Sequence, residues 1–167
     1  MSPRPLFLLA LLPAFASFAA ETPEINRPTG TAQTTGTPHT LRQIPEACAR
    51  LEGSFTGDAA QPYRFTVVRT SAQCQPRARF LDYTQAQPSE AKGWKLNDVI
   101  RVPSAACPAQ QAVVRVWRLP VELKNERDGQ GQSRIYLEDA KKQAKAGTIA
   151  QVPQFTAQMT VEGKACP

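Results

Sequence analysis

Between Phe155 and Val161 apolar and polar side chains alternate without a break: Phe155, Ala157, Met159 and Val161 against Thr156, Gln158 and Thr160. A period of two belongs to an extended chain, whose successive side chains point to opposite faces, so this segment buries one face only as a strand in a sheet. The same rhythm recurs upstream. Tyr63, Phe65 and Val67 mark a second strand; Trp94, Leu96, Ile100 and Val102 mark a third, with Asp98 interrupting its apolar face. Ala112 to Val116 is apolar on both faces except at Arg115, as an interior strand would be, and Pro120 argues for a bulge or an edge beyond it. Weaker strand patterns cover 49–55, 78–83, 133–138 and 148–152. One helix is expected over 139–146. Glu138 and Asp139 stand at its start, Lys141, Lys142 and Lys145 further along, and Gly147 ends it. Only Ala140 and Ala144 give it an apolar side, so its lysines read as a solvated face. The expected fold is therefore mostly β: a single small β-sandwich or barrel of about seven or eight short strands with one minor surface helix.

The two ends of the chain carry different information. Arg4, the apolar run Leu6 to Ala16, and the small residues Ser17 and Ala19 follow the order of a cleavable export signal over 1–19. The run is shorter than the roughly 20 apolar residues that span a bilayer, so no transmembrane segment is expected after cleavage. The expected location is secreted or periplasmic. Residues 20–45 hold seven threonines, four prolines and two glycines and almost no large apolar side chain, a composition expected of a disordered leader. The folded domain is then 46–167. Export removes one arginine and no acid, so the net charge falls from +6 to about +5.

Four cysteines in an exported chain read as two disulfides. Cys48 opens the expected domain and Cys166 nearly closes it, so a Cys48–Cys166 bond would pin both ends. The second bond, Cys74–Cys107, follows from an internal similarity. Val67-Val68-Arg69-Thr70-Ser71-Ala72-Gln73-Cys74 resembles the stretch from Val99 to Cys107, as though two hairpins each carried a cysteine at the start of the second strand.

Parts for chemistry are sparse. A serine or cysteine nucleophile needs a base beside it, and the single histidine, His39, falls in the expected leader. Ser89-Glu90-Ala91-Lys92 matches Ser-x-x-Lys, a pattern common by chance that lacks the companion motifs of penicillin-recognising enzymes. Asp82, Asp98 and Glu122 are candidate carboxylates for a small hydrolase, and Asp98 is the oddest, since it falls on an apolar face. The plainer reading of Asp98 is a bulge or a strand end. No metal or cofactor motif is present. Arg115 with Trp117, and Trp94 with Lys95, form a candidate binding surface, because arginine beside tryptophan can stack on a sugar or an anchor residue. The plainer reading is a core tryptophan with Arg115 at its rim.

Three functions follow. The leading one is a non-catalytic exported domain that binds a protein or an anionic cell-envelope polymer. The second is a periplasmic inhibitor or immunity protein that blocks a hydrolase with the loops after Ser71 and Ser104. The third is a carboxylate-dependent hydrolase. Nucleic acid is disfavoured as a partner by export and by the lack of a dense basic stripe.

Overall fold

In the computed structural model the described residues are 22–121, 142, 145, 146 and 152–166. They form two sheets packed face to face. One contains β1 (His39–Ile44), β2 (Ala49–Phe55) and β3 (Tyr63–Arg69) in the order β1-β2-β3. The other contains β4 (Arg79–Phe80), β5 (Lys95–Pro103), β6 (Gln110–Leu119) and β7 (Gln154–Gly163) in the order β4-β7-β6-β5. All pairings are antiparallel except β4 with β7. The fold is the expected mostly β sandwich, and the described strands do not close into a barrel.

Period two fills the space between the sheets. Leu51, Phe55 and Tyr63 from one sheet meet Ile100, Val102, Ala112, Val114, Val116, Phe155 and Ala157 from the other. Tyr63 is wholly buried; its hydroxyl lies 2.7 Å from Nε2 of His39, and its ring meets Phe55 edge-on. It reaches His39 across Gly53, where a Cβ would fall on the tyrosine hydroxyl.

Several expectations need correction. The leader is no leader over its described part. Residues 24–33 run alongside β5, with the N–H groups of Glu24, Ile25, Gly30 and Gln33 donating to the carbonyls of Leu96, Asn97, Arg101 and Pro103. The chain then crosses to the other sheet, where Gly36 donates to Phe55, and enters β1. Composition conceals this because residues 24–36 are held by backbone bonds and ion pairs, while Leu41 and Ile44 of β1 supply the buried apolar side chains.

The disulfides are Cys48–Cys74 and Cys107–Cys166, with Cα separations of 5.8 Å and 5.7 Å. Topology forbids the expected pairing. Ala78 donates to the Glu46 carbonyl near the Gln154 end of β7, whereas Gln110 pairs with Gly163 at the other end. Ten residues of strand span about 30 Å, and bridged Cα atoms lie about 4.4–6.8 Å apart, so Cys74 and Cys107 cannot meet. The similarity between the two cysteine stretches is real as sequence, but only the second is a hairpin, since β3 and β4 belong to different sheets.

The expected strand over 78–83 is cut to two residues. Asp82 accepts from the N–H groups of Thr84 and Gln85 and starts α1 (Tyr83–Ala86). The pattern read along β5 is split by a bulge between Leu96 and Asp98. Leu96 therefore packs with Val99, Val113 and Trp117 on the outer face, while Asp98, Ile100 and Val102 turn inward. The signal segment 1–19, Glu122, the strand patterns at 133–138 and most of 148–152, and most of the 139–146 helix lie outside the described residues. Within the last, Ala146 donates to the Lys142 carbonyl.

Candidate functional site: the open side of the sandwich

The two sides of the sandwich are finished differently. One side is shut by the strap 24–36, which joins the β5 edge to the β1–β2 sheet. A bulge between Thr40 and Arg42 lets both Leu41 and Arg42 turn toward the interior. There Arg42 Nη1 donates to Asp98 Oδ2 at 2.6 Å, and Arg27 Nε of the strap approaches the same oxygen at 2.8 Å. Asp98 has no exposed side-chain area, Arg42 12% and Arg27 40%. A second clasp holds the start of the strap: Glu24 takes bonds from Arg118 and from Asn97. The Arg118 bonds hold the Glu24 carboxyl below its ordinary value, and the same contact raises Arg118.

The opposite side, between β3 and the β4–β7 edge, stays open. Side chains of β3 emerge from the core in sequence: Tyr63 is buried, Phe65 half-buried, and Val67 44% exposed, the exposed large apolar side chain among the described residues. A cleft of about 590 Å³ lies there, lined by Phe65, Val67, Phe80, Leu81 and Met159 among others. A second cleft of about 410 Å³ shares Val67, Phe80 and Leu81 with it and runs on to Cys48, Arg69 and Arg79. The two form one groove.

Backbone groups border this groove on both walls. Pro62 and Thr70 bond to β2 through Thr56 and Cys48, so by strand alternation Tyr63, Phe65, Val67 and Arg69 turn their N–H and C=O groups away from β2. No described strand lies on that edge. On the other wall the carbonyls of Pro153 and Phe155 are taken by Arg79 and Leu81. The same side of Ala157 and Met159 lies beyond the last residue of β4, where α1 packs near β7.

The residues singled out from sequence fall elsewhere. Trp94 is 4% exposed and belongs to the interior. Arg115 donates to Thr160 and Glu162 on β7, Trp117 is half-buried against Leu96 and Val99, and of the four only Lys95 is exposed. Ser89 precedes a 3-10 turn, and Lys92 Nζ donates to the Gln87 carbonyl instead of Ser89. Asp82 and Asp98 sit at opposite edges of the four-stranded sheet. Three strand spacings, about 14 Å, separate those edges, more than the roughly 5–10 Å of a glycosidase pair. Asp82 is spent as a helix cap, and its bonds from Thr84 hold its carboxyl below the ordinary value.

The two loops braced by Cys74 and Cys107 stand at opposite ends of the sandwich. Arg69 folds over the first, donating to the carbonyls of Ser71, Ala72 and Cys74. All four cysteines are bonded. Such bonds persist outside the reducing cytoplasm, and no described helix is long and apolar enough to cross a membrane. Among the described residues no group of three or more metal-ligating side chains comes together. Comparison with known proteins finds no matching family model, no curated relative and no matching solved structure.

Proposed function

We propose that this chain is an exported, periplasmic or secreted, non-catalytic binding domain that engages a protein partner through the open side of its sandwich. One observation carries the reading: a continuous apolar groove lies exposed beside the β3 edge, whose outward backbone groups have no described partner. Contiguous exposed apolar surface in a small domain marks an interaction site. Protein is favoured over an anionic polymer because the tryptophan–arginine face that would stack on a sugar is taken up by internal packing and by Glu162.

The test is site-specific photocrosslinking in envelope preparations, with the probe placed at Val67 in one variant and at Lys95 in another. The reading expects a discrete protein adduct from position 67 and none from 95. An adduct only from 95, or polysaccharide retention that survives Val67→Glu, would overturn it.

A further inference from the structure

The side that is already shut shows how this sandwich finishes an edge. Strap residues 24–33 lie along β5 and bond to it through the backbone, with Arg27 running to buried Asp98. The open side offers the same kind of edge with a different floor. Backbone groups of Phe65, Val67 and Arg69 point outward, and beneath them lie Phe65, Val67, Phe80, Leu81 and Met159. Whatever fills that lane must be extended to meet the edge, and apolar at alternate positions to meet the floor.

Charge narrows the occupant further. At the Cys48 end the groove is lined by Arg69 and Arg79, with Arg77 exposed next to them. Arg77 and Arg79 make no ion pair among the described residues. Glu46 is the exposed acid nearby, and the Asp82 carboxylate, held ionised by Thr84 and Gln85, lines the other end of the groove. A carboxylate at the Cys48 end of the incoming segment would therefore face Arg77 and Arg79 without an ion-pair partner among the described residues, beside Arg69. A second copy of the chain fits poorly, since β3 (YRFTVVR) carries two arginines and no acid and so would bring no carboxylate to Arg69 and Arg79.

We infer that the β3 edge is a strand-addition site for an extended, acidic segment of a partner protein. Its alternate apolar side chains enter the groove between Phe65/Val67 and Phe80/Met159, and a carboxylate meets Arg69 and Arg79. This rests on the protein-binding reading above and specifies its mode.

The test uses capped nine-residue peptides with the intact exported protein. The first has valine at three alternate positions, glutamate at the next alternate position so that it shares their face and meets the Arg69 end, and threonine between; the second replaces that glutamate with lysine. Two others carry N-methyl groups on alternate amides, one in each register. The expected results are saturable binding of the glutamate peptide and slowed hydrogen exchange at the Phe65, Val67 and Arg69 amides. Binding should be at least tenfold weaker for the lysine peptide and for one N-methylated register, and Arg79→Glu should reverse the charge preference. Equal binding of the two charge variants, or binding without slowed exchange at those amides, would overturn the inference. So would amides already protected in the free protein, which in a dimer would assign the edge to a second copy and in a monomer to this chain itself. A protein adduct from position 67 without β3 protection would sink strand addition while leaving the protein-binding reading intact.

Discussion

Asp98 is the deepest charge among the described residues, and removing it tests what holds the strap to the sandwich. Its carboxylate has no exposed area and faces two cations of unequal burial, Arg42 at 12% and Arg27 at 40%. Changing Asp98 to Ala leaves Arg42 charged in a largely water-free site without a counter-ion. Breaking a buried pair in this way costs about 3–5 kcal/mol. Losing Arg27 should cost far less, about 0–1 kcal/mol, because that guanidinium can return to water and Asp98 keeps Arg42. A well-packed apolar pair often replaces a buried ion pair at little cost, so Asp98→Val with Arg42→Met should recover most of the loss. Urea unfolding of wild type, these variants and the Asp98→Val and Arg42→Met singles at pH 7 reads the differences as midpoint shifts at constant slope. If Asp98→Ala proves too unstable to purify, Arg42→Met alone and the double variant still decide the matter. An Asp98→Ala cost below about 1 kcal/mol, or a double variant as weak as the sum of its singles, would refute the argument that burial makes this pair costly to break.

Three further outcomes are expected. Non-reducing peptide mapping should recover Cys48–Cys74 and Cys107–Cys166; replacing the first pair with alanine removes a 26-residue closure and should cost about 3.5 kcal/mol in the chain-entropy model, read by urea unfolding. Gly53→Ala should destabilise by about 1–3 kcal/mol, because the new Cβ displaces the buried Tyr63 hydroxyl from His39; an unchanged midpoint would show that the ring moves freely. Glu24 has its folded-state value lowered by Arg118 from the ordinary 4.5, so its stabilisation is complete above that pH and lost as pH falls through the folded value; Glu24→Gln should be the less stable protein at pH 7, and its difference from wild type should vanish in acid.

What could be read from the sequence was what strict alternation encodes. Phe155 to Val161 and Tyr63 to Val67 became β7 and β3 because an unbroken period of two admits one face assignment, and Ala112 to Val116, apolar on both faces, became the interior strand β6. The missed strand, β1, breaks that rule physically. Its bulge inserts a residue, so the buried Leu41 and Ile44 stand three apart and the pattern no longer reads as a strand. The bulge in β5 did the same to Leu96 and Asp98, and made an inward acid look like a flaw in an apolar face. The reading of Asp98 as a bulge marker was sound, but its partners Arg27 and Arg42 lay in the segment set aside as a leader. Disulfide pairing failed because local resemblance says nothing about which end of a sandwich a turn occupies. The groove was not legible either. Phe65, Val67 and Met159 look like ordinary core residues, and their exposure follows only from where β4 stops.

Edges explain why the groove and the strap belong to one account of this fold. Two stacked sheets have four edge strands, and each unpaired edge invites another chain. Here β1 is bulged between Thr40 and Arg42, which spoils its register for a new partner. The β5 edge is covered by residues 24–33, and the ion pairs at Asp98 and Glu24 keep that cover in place. Next to β7, the lane is filled for two residues by β4, beyond which α1 packs. Only β3 runs seven residues without a described neighbour on its outer edge, and it carries arginines at 64 and 69 and no acid. Positive charge of that kind attracts an acidic strand. Shutting one side with a thirteen-residue strap and two arginine clasps, while the other keeps an apolar groove with Arg69 and Arg79 at one end and Asp82 at the other, is the asymmetry on which the strand-addition proposal rests.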